Sequence, residues 1–339
     1  MRLAPILPLV LALLAGCGRA ATPTPDVAPG TGPATRAAAQ TKRGTTLTGS
    51  HGGRAYHLFV PAGLRGPRPL VVMLHGCTQD PADFATGTRM NAIAARERFY
   101  VLYPQQTRED QVKACWPFYE PLHQVRGLGA AHDIVGMVEK VRRSHDVDAN
   151  AIHAAGLSAG GAYTAVLAAL YPDVFASVGV HSGLAFGVAT TVAAAKLAMK
   201  VGGPPPEITG GLAYLAMGTR RRVVPTLVFQ GDADEVVAPV NGEQVTTQAL
   251  VMNDWASDGL RNGDVDTRPD GTEAGRVDGG HRFTRTWFHD AAGHVVVERV
   301  AVAGMGHAWS GGDARGTYTD PLGPDASAMM WAFFKAHRR

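Results

Sequence analysis

Cysteine is scarce in this chain: three in 339 residues, at positions 17, 77 and 115. They are too few and too widely spaced for a cysteine-ligated metal site. Charge imbalance is missing as well. Lys and Arg outnumber Asp and Glu by only 32 to 29, too little for a nucleic-acid partner. The basic clusters Lys140 to Arg143 and Arg220-Arg221-Arg222 read as a helix C-terminus and a solvated loop. Long apolar runs are absent apart from Leu3 to Leu14, which is too short to span a bilayer. No internal repeat is present, which excludes a solenoid.

What is there begins with a secretory pattern. Met1-Arg2 precedes the apolar stretch, which ends in Leu14-Ala15-Gly16-Cys17. That ending resembles a bacterial lipoprotein signal, which implies a signal over residues 1–16, a lipid on Cys17 and attachment to a membrane. Ordinary cleavage with Cys17 incidental is the alternative. Residues from about 18 to 46 are rich in Ala, Thr, Pro and Gly and poor in large apolar side chains. Such a segment cannot offset its ordering entropy by burial, so residues 17–48 are expected to be a disordered tether, reaching roughly 30 Å. A single catalytic domain is expected over 49–339. Export also leaves Cys77 and Cys115 as one pair that can form a disulfide.

The pattern within that domain alternates. Arg54 to Pro61 reads as a strand, and Leu70 to Leu74 is a continuous apolar run, the mark of a strand buried on both faces. Asp80-Pro81 supplies an N-cap and a first-turn proline for a helix carrying Phe84, Met90 and Ile93. A short strand at Phe99 to Leu102, a helix near Asp133 to Ser144 and apolar strands at Val178 to Val180 and Pro225 to Gln230 follow. A hairpin over Thr284 to Val302 and a closing helix after Asp325 complete the pattern. Residues 190–222 read as a cap-like insertion without clear periodicity. Strands alternating with helices predict an α/β fold: a doubly wound, mostly parallel sheet with helices on both faces.

The most informative stretch is Gly156-Leu157-Ser158-Ala159-Gly160, set between an apolar strand and an Ala- and Leu-rich helical pattern. G-x-S-x-G in a strand–turn–helix setting is a nucleophile elbow, which holds a serine hydroxyl at a helix N-terminus. Serine is a weak nucleophile and needs a base, which in turn needs an orienting carboxylate. The order Ser, acid, His is met by Ser158, Asp234 just past the strand Pro225 to Gln230, and His307 in a Gly-x-Gly-His loop after a late strand. Asp232 and Glu235 compete as acids, though Asp232 suits the turn itself. An oxyanion needs two donors. One is expected at the N–H of Ala159, the other at that of Cys77, with Gly76 and Thr78 as neighbours able to replace it. Trp116 and Trp309 are candidate walls of a substrate site, with packing beneath the loops as their other role.

Four motifs stand together in order: Leu74-His-Gly-Cys-Thr-Gln79, Gly156-Leu-Ser-Ala-Gly-Gly161, Gly231-Asp-Ala-Asp234 and Gly306-His-Ala-Trp-Ser-Gly-Gly312. With Arg89-Met90-Asn91, Cys115-Trp116, Arg126-Gly127 and Thr319-Asp-Pro321, they resemble the short-chain polyhydroxyalkanoate (poly-3-hydroxybutyrate) depolymerase family of extracellular esterases. Feruloyl and acetylxylan esterases are close to that group. The resemblance covers roughly residues 50 to 337. It implies an α/β-hydrolase with Ser158 as nucleophile, Asp234 as acid, His307 as base and Cys77 in the oxyanion loop. It implies an ester substrate, hydroxyalkanoate oligomers first and plant-wall feruloyl or acetyl esters second. The chemistry requires no metal and no organic cofactor. The chain stops at Arg339 without the linker and polymer-binding domain of multidomain depolymerases, so soluble oligomers are expected to be preferred to crystalline polymer. A reading from another class is a surface-anchored binding protein that keeps the fold without turnover; the intact Ser, Asp and His argue against it.

Overall fold

The computed structural model describes residues 44–109 and 111–339. The expected signal, Cys17 and the tether as far as residue 43 lie outside these residues. The folded chain opens earlier than the expected boundary at 49. Strand β1 (Gly44–His51) pairs antiparallel with β2 (Arg54–Pro61) along its whole length. Its one large apolar side chain, Leu47, is exposed. Backbone pairing holds the strand, and there is no apolar alternation to read.

The chain continues with β3 (Arg68–Leu74), α1 (Pro81–Thr88), α2 (Met90–Glu97), β4 (Tyr100–Pro104), α3 (Gly129–Ser144), β5 (Val147–Leu157), α4 (Ala159–Leu170) and β6 (Ser177–His181). Then come α5 (Val192–Val201), α6 (Pro206–Met217), β7 (Thr226–Gly231), α7 (Val240–Asp258), β8 (Gly271–Arg276), β9 (Arg282–His289), β10 (Val295–Val302) and α8 (Ala326–Ala336). Ten strands form one sheet in the order β1-β2-β4-β3-β5-β6-β7-β10-β9-β8. The run from β4 to β10 is parallel, with antiparallel strands at both edges.

β3 shows why the sheet is covered twice. Leu70, Val72 and Leu74 pack into one layer with Val138 of α3, Leu167 of α4 and Ala213 of α6. Val71 and Met73 point the other way, against Phe84 of α1, Ile93 of α2 and Phe334 of α8. Successive residues of a strand face opposite sides, so a strand between two helical layers must be apolar throughout.

Two helices replace the one expected from Phe84 to Ile93. Asp80 caps α1 by accepting from the N–H groups of Ala82 and Asp83, as its sequence suggests. Arg89 then takes the left-handed conformation, φ 55°, and ends the helix. Its guanidinium donates to the carbonyl of Gly311 and to Asp325, far along the chain, so a tertiary contact accompanies the break. The stretch 190–222 forms α5 and α6. Thr191 caps α5 through its side chain, and proline opens α6.

Candidate active site

The site forms where parallel strands end together. Leu74 pairs with Gly156, Leu157 with His181, His181 with Phe229, and Gly231 with Val302. The loops after β3, β5, β6, β7 and β10 therefore emerge along one edge of the sheet, where ligands of open α/β folds bind.

Ser158 joins β5 to α4 with φ 59° and ψ −122°, a backbone conformation that a residue with a side chain rarely adopts. The glycines of the motif make the turn feasible. A Cβ on Gly160 would lie 2.1 Å from the Leu74 carbonyl oxygen, and one on Gly156 would lie 2.4 Å from the backbone of Gly160. The Ser158 N–H donates to the His181 carbonyl at 2.9 Å, which stitches the elbow to the neighbouring strand.

Asp234 follows β7. Its side chain is fully buried. One carboxylate oxygen accepts from the N–H groups of Val236 and Val237, at 2.9 and 2.8 Å. The other accepts from Gln230 at 3.2 Å and from His307 Nδ1 at 2.8 Å. Burial by itself would raise the carboxyl's pKa, but the hydrogen bond from His307, the imidazole's charge and the two backbone donors outweigh it and hold the group below its usual range. Asp232, the competing acid, has the turn role: its carboxylate accepts from the Gly304 N–H and ties the β7 loop to the loop carrying His307. Glu235 is exposed.

His307 thus presents Nδ1–H to a carboxylate, which leaves Nε2 as the basic nitrogen. Its loop is fixed from below by His181. That buried ring accepts the Ser310 N–H on Nε2 at 3.0 Å and lies stacked near Phe229 and Trp309. Burial pushes its pKa down to about 3, so it stays neutral and can accept.

The oxyanion donors can be sorted by elimination. The Gly76 N–H is bound to the Gln79 side chain at 2.9 Å, and that of Thr78 to the Lys113 carbonyl at 2.7 Å. The N–H groups of Cys77 and Ala159 have no hydrogen-bond partner among the described residues, and both residues line the same cavity as Ser158 and His307. Cys77 is joined to Cys115 by a disulfide. Trp116 supports the same loop, its indole N–H donating to the His75 carbonyl at 3.0 Å.

That contact corrects one expectation. Trp116 and Trp309 are 0% and 1% exposed and do not line the cavity. Trp116 stacks on Tyr163, and Trp309 packs edge-on against Phe84 while donating to Ser327. Each lies within two positions of a site residue in sequence but points beneath the loops. The walls come from elsewhere: Phe118 and Tyr119, Leu184 after β6, Val192 and Met199 of α5, and Val236, around a space of about 530 Å³. Tyr318 closes one side. Its ring lies edge-on to His307, and its hydroxyl is 3.3 Å from that of Thr78. Tyr318 and Thr78 share with Ser158 a positive φ. No local pattern marks these wall residues as functional.

The sequence and the fold have counterparts. The poly(3-hydroxyalkanoate) depolymerase C of Paucimonas lemoignei is 33% identical over 265 residues, 77% of this chain and 58% of that protein. Feruloyl esterase B of Thermothelomyces thermophilus is 34% identical over 134 residues, 39% of this chain and 45% of that one. The chain thus spans about half the length of these relatives. Among solved structures, an acetyl xylan esterase from Aspergillus awamori shares the fold, with a TM-score of 0.66 and 19% identity over 86% of this chain and 100% of that one. Residues 54–270 match the family described as Esterase PHB depolymerase, and the chain belongs to that family.

Proposed function

We propose that the protein is an exported serine ester hydrolase working through an acyl-enzyme. The observation that carries this is the arrangement of His307, paired with buried Asp234, on one cavity with Ser158 and the unoccupied N–H groups of Cys77 and Ala159. Ser158 Oγ attacks the ester carbonyl while His307 Nε2 takes its proton. The carbonyl oxygen becomes an oxyanion held by the two amides. His307 then delivers the proton to the departing alcohol, and the C–O bond of the ester breaks. Water, deprotonated by the same nitrogen, attacks the acyl-enzyme, releases the acid and restores Ser158. Asp234 keeps the imidazole in the tautomer this requires and stabilises its charged form.

The largely aliphatic wall suits short, weakly polar acyl chains, and hydroxyalkanoate oligomers are the substrate class we favour. The relative named feruloyl esterase supports plant-wall esters as a second reading. Export, with Cys17 as a lipid anchor, is supported by the residues before Cys17 and by the disulfide, which persists in oxidising compartments.

The test is a panel of p-nitrophenyl esters, feruloyl esters and hydroxybutyrate oligomers, run beside fluorophosphonate labelling. Ser158→Ala should lose labelling and lower kcat by about 10⁴-fold or more while unfolding at an unchanged temperature. Labelling and turnover that survive in Ser158→Ala would overturn the assignment.

A further inference from the structure

The wall of the catalytic cavity is mostly apolar, with two exceptions that carry full charge. Lys113 and Lys196 both line it, one on the loop before Cys115 and the other on α5. Both are exposed, so their ammonium groups reach solvent at the mouth. Neither has a carboxylate partner among the described residues. Other lysines differ: Lys140 donates to the Ser50 carbonyl, Lys200 to that of Glu235, and Lys335 pairs with Glu97.

The backbone positions of the two are fixed. The Lys113 carbonyl accepts the Thr78 N–H at 2.7 Å, and the disulfide two residues further on ties the same segment to the oxyanion loop. Lys196 sits within a capped helix whose neighbours Ala195 and Ala198 are buried. Charges mounted this way hold a field over the mouth even though their side chains move. Beyond Thr78 and Tyr318 the sign reverses, because the adjoining cleft is bordered by Asp80 and Asp83. An anionic group entering the site is attracted at one side and repelled at the other.

We infer that Lys113 and Lys196 make the mouth of this cavity a receptor for a carboxylate carried by the ester substrate. The inference rests on the esterase reading above and narrows its substrate class to esters with a free acid group near the scissile bond. Such a group can stand on the alcohol side, as in an oligomer of hydroxyacids ending in a carboxylate, or on the acyl side, as in a half-ester of a dicarboxylic acid. Hydrolysis of an oligoester generates a new carboxylate at each cut, so its products keep the feature that the lysines recognise.

The experiment compares kcat/KM for acid and methyl ester in two pairs: a 3-hydroxybutyrate dimer and its methyl ester, and mono-p-nitrophenyl glutarate and its methyl ester. The readout is the acid-to-ester ratio, which cancels intrinsic reactivity when enzymes are compared. In Lys113→Gln/Lys196→Gln the ratio should fall by about fivefold in at least one pair, the size expected of two hydrated charges acting across several ångströms. The pair that responds identifies the side on which the carboxylate stands. Lys113→Arg/Lys196→Arg should keep the wild-type ratio, and added salt should lower it in the wild type and the arginine variant but not in the glutamine variant. Equal ratios in the wild type and the double glutamine variant, for both pairs, would overturn the inference. Failure to hydrolyse all four compounds, with no fluorophosphonate labelling of Ser158, would instead overturn the esterase reading.

Discussion

His75, His153 and His181 are buried and neutral, and two of them serve the site by accepting. His75 Nε2 takes the Gln106 N–H at the base of the oxyanion loop, and His181 takes that of Ser310 beside His307. A protonated imidazole could do neither. Burial is the main cause that lowers their pKa values, to about 4 for His75 and about 3 for His153 and His181. Well above pH 6.5 all three are uncharged in folded and unfolded chains alike. Below pH 6.5 the unfolded chain takes up protons that the folded chain refuses down to about 4 or 3, so acidification favours unfolding through that window. Each group should cost roughly 1 kcal/mol per pH unit there. His153 is the one to test, since it stacks on Phe334 away from the catalytic loops. The slope of unfolding free energy against pH, measured between pH 6 and 5 by urea denaturation, should be shallower in His153→Gln than in the wild type by about that amount. Equal slopes would mean that His153 is charged in the fold.

At the scale of elements, the oxyanion loop after β3 is held from several sides: the disulfide, the Trp116 indole, the Gln79 side chain and the Lys113 carbonyl. The bridge closes 38 positions of chain, which in the chain-entropy picture stabilises the fold by about 3–4 kcal/mol. Cys115→Ser should therefore lower the unfolding temperature and reduce kcat more than it raises KM, because a displaced N–H is missed mainly by the oxyanion. Two free thiols titrated after denaturing a fully active preparation would remove the bridge from the account. These contacts also explain what was legible beforehand. Buried parallel strands are apolar runs, and the loops that follow them begin within a few residues, so the loops carrying Ser158, Asp234, His307 and Cys77 could be located from local pattern. Strand β8, with sequence Gly-Thr-Glu-Ala-Gly-Arg, is an exposed edge with no apolar face to read. Helix α7 is buried along much of its circumference, including Asn253 and Asp254, so it shows no clear apolar stripe. The cavity wall draws on α5 and Tyr318, segments brought together only by the fold.

For the molecule as a whole, the proposed catalytic residues lie within the described residues, while the groups proposed to decide its location precede them. None of the helices in the described region is long and apolar enough to cross a membrane. Attachment, as proposed, depends on Cys17. A single acyl chain binds a bilayer only marginally, whereas the paired chains of a lipoprotein-type cysteine hold firmly. In cells labelled with a fatty-acid analogue, the wild-type protein should carry label and sediment with membranes. Cys17→Ser should lose both and appear in the soluble fraction. The sheet begins at Gly44, well beyond Cys17, so released and anchored enzyme should hydrolyse a soluble ester with the same kcat/KM per molecule. The anchor can still govern rate on a substrate that is itself held at a surface, since tethering confines the enzyme to the layer next to the membrane. Wild-type protein that stays on membranes with an unlipidated N-terminus would rule out this mode of attachment, and Cys17 would then belong to an ordinary signal without altering the assignment of Ser158, Asp234 and His307.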